Sequence, residues 1–409
     1  MISILNNAFT SGADYGDFKV ENMALAKATK TAIVNGRDIM FLSVCDVPEY
    51  REEDATVFWV ISDETLRDFR KFNKGLGRAI LKNANYPQEC LTELKNTTGL
   101  MFLIDGEKYL VSQHAMATLS MQASISGTMT LQRANLLRDM HIADALFYKN
   151  ESITLVYREV EMDGISVKKI YAVFAGAYRE IPQTVVADIA DSVMEDEIMG
   201  KATVNSWYID HEITRLEMTY PEIQEDYSEK YGVADITPGI MIQTSDTGDS
   251  AIRIFGTQKV RRTYVITEEI AAKHTKKNED PENIIKDVDE KIFFNHRKLP
   301  ELLADLIGRE AVDYSLPNAY ESLLDLAEEA TTKLLKGVLS KRQIQSLTDA
   351  IKLELDPSVR YTLYDLALEL MELPERINGI DDALMISVRK ALANAPVVVQ
   401  DKAEVYLSA

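Results

Sequence analysis

The stretch SITLVYREVEMDGISVKKIYAVFAGAY, residues 152–178, constrains the fold more than any other segment of the chain. Two long runs rich in Val, Ile and Tyr flank Asp163-Gly164, a favoured hairpin dipeptide because Asp and Gly tolerate the left-handed backbone of a tight two-residue turn. GLMFLIDGEKYLVS (99–112) repeats the design around Asp105-Gly106. Two such hairpins commit the chain to antiparallel pairing.

Further signals fill in the rest. RDIMFLSVCDVP (37–48) and ATVFWVISD (55–63) read as short strands. Asp63 resembles a cap for a helix over 64–84, and Pro87 opens a short helix after it. Ser112 caps QHAMATLSMQA, and a second helix follows the Ser126-Gly127 break. PQTVVADIADSVMEDEIMG (182–200) has Pro at its start, helix-spaced apolar residues and Gly at its end, which predicts an amphipathic helix. ATVNSWYIDHEITRLEMTYP alternates as one long strand. PGIMIQTSDTGDSAIRIFG (238–256) and KVRRTYVITEE complete a β-β-α-β-β-β pattern. Composition turns polar over 271–291, and beyond it Leu302, Leu303, Leu306, Ile307, Leu323, Leu326, Leu334 and Leu335 carry helix spacing.

The fold class expected is α+β: a central antiparallel-rich sheet with a covering helix, a mixed N-terminal region and a helical C-terminal region. The regions fall at 1–150, 151–270 and 285–409, joined before the last by an exposed connection at 271–284.

Length and charge narrow the function. The 409 residues suffice for two or three units. Net charge is −20, with −2 in residues 1–150 and −10 in 151–275. Such a chain repels phosphate on average, so a nucleic-acid contact needs a local basic strip, and the first third can best spare one. Cys45 and Cys90 cannot staple a chain this long, which points to a reducing compartment. No apolar run reaches the length of a membrane span, and the N-terminus lacks a secretory pattern. The expectations are therefore no membrane partner and a cytoplasmic location.

IYAVFAGAYREIPQTVV, a long strand ending LEMTYP, then PGIMIQTSDTGDSAIRIFGTQKVRR and YTLYDLALELMELPE occur in an order that resembles the phage/plasmid-like protein family of unknown function. The likeness covers roughly residues 100–375 and rests on order and texture. Where that family carries Asn-Ser-Glu-Val-Gly, this chain has Thr244-Ser245-Asp246-Thr247-Gly248. Where the family has Arg-x-x-Cys-x-Asn-Gly, this chain has RRTYVITEE. The resemblance implies a phage or mobile-element origin and a cytoplasmic life in the infected or carrier bacterium. It implies no reaction.

Candidate sites are few. Ser245, Asp246, Thr247 and Gly248 form either a plain hairpin turn or a partner-contact loop, and the resemblance favours contact. Asp246 and Asp249 lack the alternate spacing of a calcium loop. The five histidines and two cysteines form no metal-ligand pattern. No P-loop, G-x-S-x-G or dinucleotide fingerprint is present, so no catalytic residue, cofactor or metal is assigned. Arg67, Arg70, Lys71, Lys74, Arg78 and Lys82 recur at helical spacing opposite Phe69, Phe72, Leu76 and Ile80. The stripe is either a solvated helix face or a surface that tracks a phosphate backbone, with Arg133 and Arg138 next in line. Segment 112–130 has a helix-turn-helix texture that also suits an ordinary helical hairpin.

The sequence thus leads to a non-enzymatic phage or mobile-element protein that handles single-stranded or duplex DNA in replication or recombination. The alternative is an oligomeric interaction protein that binds a host or phage protein. A carboxylate-based enzyme is a third reading.

Overall fold

The structure is a computed structural model that describes residues 9–44, 56–62, 66, 80–83, 88–125, 136–149, 151–176, 184–210, 213–245, 252–272 and 281–407, with backbone only at the ends of some elements. The class is α+β, built on two large sheets and a C-terminal set of helices.

The chain begins with β1 (Thr10–Gly12), α1 (Tyr15–Ala28), β2 (Thr29–Asn35), β3 (Met40–Val44), β4 (Thr56–Ile61) and β5 (Ile80–Asn83). Next come α2 (Gln88–Asn96), β6 (Leu100–Ile104), β7 (Glu107–Val111), α3 (Gln113–Gln122) and α4 (Leu136–Lys149), then β8 (Ser152–Met162) and β9 (Ile165–Ala175). Eight of these strands form one sheet in the order β2-β8-β9-β7-β6-β3-β4-β5. Every pair in it is antiparallel except β7 with β9. Both Asp-Gly turns form as the sequence predicts. Asp105 and Gly106 have φ of 50° and 83°, and Asp163 and Gly164 have 48° and 73°, the left-handed pair that matches strand twist. One face buries Phe41, Phe102 and Leu155 under α3 and α4. The other buries Leu42, Met101 and Leu110 with Leu91 and Leu94 of α2.

The middle of the chain continues with α5 (Val185–Val193), β10 (Glu195–Asp196), β11 (Gly200–Lys201), β12 (Thr203–Ile209) and β13 (Thr214–Thr219). It ends with α6 (Pro221–Tyr231), β14 (Ile236–Thr244), β15 (Ile252–Val260) and β16 (Thr263–Ala272). The second sheet runs β1-β12-β13-β14-β15-β16, antiparallel throughout. Alternation along the strands sends Trp207, Leu216, Ile242 and Ile254 to one face, where Phe18 of α1 and Val186 and Ile189 of α5 cover them. Gly12 of β1 lies against the Trp207 indole, where a Cβ would come within 2.7 Å of Cζ2. The indole Nε1 donates to the Asp14 carbonyl at 2.8 Å, while the Asp14 side chain caps α1. Helix α1 leads from this sheet into β2 of the other.

The last part holds α7 (Pro281–Asp287), which runs into a π-helical turn at Val288–Phe293, then α8 (Lys298–Ala304), α9 (Ala319–Leu335), α10 (Lys341–Glu354), α11 (Leu363–Met371), α12 (Asp382–Leu392) and α13 (Ala395–Leu407). Capping boxes at Ser340/Gln343 and Thr362/Asp365 start α10 and α11. Leu303, Leu323, Leu366 and Leu392 share one core with Ile236, Val260 and Val265 of the second sheet. Among the described residues no helix is long and apolar enough to cross a membrane.

Several expectations are corrected. The boundary at 150 divides a sheet, because β8 and β9 pair with β2 and β7 rather than with the strands after 200. Residues 203–219 are two strands, since the Asp210 carboxylate accepts from the Ile213 N–H at 2.7 Å and closes a turn. Helix α5 stops at Val193, where β10 and β11 fold back on each other. Residues 221–231 form α6, with Pro221 in its first turn and Gly232 ending it at φ 71°. The helix expected over 64–84 does not reach its end, because Ile80–Asn83 is a strand paired with β4. In the connection expected at 271–284, Ala271 and Ala272 finish β16 and Pro281 opens α7; 273–280 lie outside the described residues.

Candidate nucleic-acid interface

The second sheet has one apolar face and one face of mixed character. Register places Tyr208, Arg215 and Gln243 in one row across the strands, and Ser206, Glu217, Met241 and Phe255 in the next. Helix α12 covers part of this face, and Ile386 packs on Met241, Phe255 and Ile266. Arg215 Nη2 reaches Asp382 of α12 at 2.5 Å, and the Arg389 guanidinium lies 3.6 Å from the centre of the Tyr264 ring.

Beside α12 a groove of about 260 Å³ remains open. Asn205, Ser206, Thr219, Thr257 and Thr263 line it with amide and hydroxyl groups, and Glu217, Lys259 and Arg262 add charge. Ser206 donates to Glu217 at 2.9 Å, and Thr219 donates to Asn205 Oδ1 at 3.1 Å. Burial pushes the Tyr264 hydroxyl up to about 12, so it stays protonated and points at Met241 Sδ, 3.3 Å away.

The two cations follow from the β15–β16 turn. Arg261 takes φ 48°, a left-handed conformation that costs a non-glycine residue free energy. Its guanidinium donates to Glu369 of α11 at 2.9 Å and to Glu372, just past the end of that helix, at 3.0 Å. The turn is thus fastened to the helices on one side, and Arg262 goes to the groove on the other. Lys259 and Arg262 are exposed, and neither has an ion-pair partner among the described residues. Thr263 is 3% exposed, and its Oγ1 has no hydrogen-bond partner among the described residues. A buried hydroxyl left so costs about 1–3 kcal/mol.

The residues predicted from sequence fall elsewhere. Arg67, Arg70, Lys71, Lys74 and Arg78 lie outside the described residues, and Lys82 sits in β5 with only its backbone described. Strand geometry at Ile80–Asn83 removes Lys82 from any helical stripe. Arg138 is not a surface cation. It is 2% exposed, bonded to Asp139 at 2.7 Å and donating to the Thr98 carbonyl at 2.6 Å. Ser245 is fully buried, because it continues the inward-packed run of β14, so it offers no contact surface. Asp246, Thr247 and Gly248 lie outside the described residues, as do Arg133, His211 and Glu212. No group of three or more His, Cys, Asp or Glu side chains able to hold a metal occurs among the described residues.

Sequence reasoning missed the groove because its members come from five strands. The signal that could have found it is the Arg261-Arg262-Thr263 run at a hairpin tip in an acidic chain.

No protein-family model matches the chain, and neither a curated protein nor a solved structure matches it.

Proposed function

We propose that this chain is a non-enzymatic nucleic-acid-handling protein whose groove on the second sheet takes phosphate groups of a strand. The observation that carries the reading is the meeting of Lys259 and Arg262, neither ion-paired among the described residues, in one groove of a chain with net charge −20. Backbone phosphates supply the charge and oxygen acceptors that this set lacks.

The test is binding of fluorescent single-stranded and duplex DNA across a salt series. Two phosphate contacts in the groove contribute about −1.4 to the log–log salt slope for a single strand and about −1.8 for a duplex. Lys259→Glu with Arg262→Glu should remove that contribution and leave the melting temperature nearly unchanged, because exposed charges add little to stability. Full-strength binding by the double variant refutes the groove. Absence of any binding by the wild type at low salt refutes the function.

A further inference from the structure

A second cleft, between α6 and the turn before α8, is built on different chemistry. It measures about 430 Å³ and is walled by Tyr227, Tyr231 and His296. His296 is 8% exposed and stacks on Tyr227 with ring centres 5.7 Å apart.

The proton positions follow from the hydrogen bonds. Tyr227 Oη lies 2.6 Å from His296 Nδ1 and 2.9 Å from the His296 carbonyl oxygen. The phenol has one proton for these two contacts. Were it given to Nδ1, two oxygens would face each other at hydrogen-bond distance with nothing between them. Both contacts are satisfied when Nδ1–H donates to Oη and Oη–H donates to the carbonyl. Gln258 Nε2 donates to the same carbonyl at 2.9 Å, which its second lone pair accommodates. His296 therefore carries its proton on Nδ1, and Nε2 is a bare acceptor. Nε2 has no partner among the described residues and is not sealed from solvent. Burial, helped by Arg297, lowers the ring to about 4, so the acceptor persists at neutral pH.

Four exposed charges surround it: Asp226, Glu229, Lys230 and Arg297. None forms an ion pair among the described residues, and Lys230 Nζ sits over the Tyr231 ring at 5.0 Å. A phosphate dianion here would meet two carboxylates, and a simple cation would meet Lys230 and Arg297. A ligand of both signs is opposed by neither pair. We propose that this cleft binds a small zwitterion of the α-amino acid type. Its carboxylate would pair with Arg297 and Lys230, and its ammonium with His296 Nε2 and the carboxylates of Asp226 and Glu229. This site is separate from the sheet groove and does not depend on it.

The experiment titrates the full chain with each standard α-amino acid by calorimetry, then repeats the best binder as its N-acetyl and C-amide derivatives, with inorganic phosphate as a further probe. At least one free amino acid should bind, and each derivative should bind about tenfold or more weakly, the usual loss for one charged hydrogen bond. Arg297→Gln and Asp226→Asn, both at exposed positions, should weaken binding by a similar factor. Nitrogen-15 spectra of the unliganded protein should show His296 protonated at Nδ1. The proposal is overturned if no amino acid binds, if either derivative binds as well as the parent, if the variants bind at full strength, if phosphate outcompetes every zwitterion, or if Nε2 carries the proton.

Discussion

Acidification should loosen the junction between the second sheet and the C-terminal helices through one residue, His296. Its ring is held neutral by burial and by Arg297, and its ordinary value of 6.5 falls to about 4 in the folded protein. A group with a depressed folded value contributes stability that is present above its unfolded value and lost as pH falls through the folded one. The window is therefore about pH 6.5 down to about pH 4. With these two values, binding of one proton favours the unfolded chain by about 2 kcal/mol on going from pH 7.5 to pH 5. Arg297 and Lys230 oppose a charged ring while Asp226 and Glu301 favour it, so burial decides the direction. Asp139 acts in the opposite sense. Burial raises its carboxyl to about 6 against the pull of Arg138, so its contribution is fullest at low pH and declines as pH rises through 6. A single pH curve mixes the two, and a comparison separates them. Urea denaturation of the wild type and of His296→Asn at pH 7.5, 6 and 5 should give curves that converge on acidification, with the wild type losing about 2 kcal/mol more than the variant. Parallel curves would show that His296 is not held neutral and would refute the argument.

Other outcomes follow from packing. Arg138→Met leaves Asp139 buried without a counter-charge, held only by the Ser43 hydroxyl among the described residues, and should cost about 3–5 kcal/mol, while Arg138→Met with Asp139→Leu should recover most of that loss in the same urea assay. An equal loss in the double variant would mean that packing and the hydrogen bonds to Ser43 and the Thr98 carbonyl outweigh the buried charge. Gly12→Ala forces a methyl group against Trp207, and should cost about 1–3 kcal/mol and shift tryptophan emission, because the indole must move. An unchanged midpoint and spectrum would place β1 away from the sheet edge.

What the sequence determined by itself was local. Asp105-Gly106 and Asp163-Gly164 specify their hairpins because the left-handed backbone of the turn is open to few residue types. Ser112 caps α3 by accepting from the Ala115 N–H, and the leucine spacing after residue 300 marks buried helices, since both signals act within one or two turns. Leu302 and Ile307 are exceptions, being 39% and 44% exposed where periodicity alone expected core. The α+β class was legible for the same reason. Tertiary structure alone decided which hairpin joins which sheet. It placed β8 and β9 beside β2 and β7, and brought β1 back to β12 across nearly two hundred positions. Strand pairing between distant segments leaves no periodic trace, because each strand carries the same alternation whichever neighbour it takes. Both candidate sites belong to that second kind. Lys259 and Thr263 meet Ser206 and Thr219, and Tyr227 meets His296, only after distant strands and helices are packed, so no window of sequence contains either set.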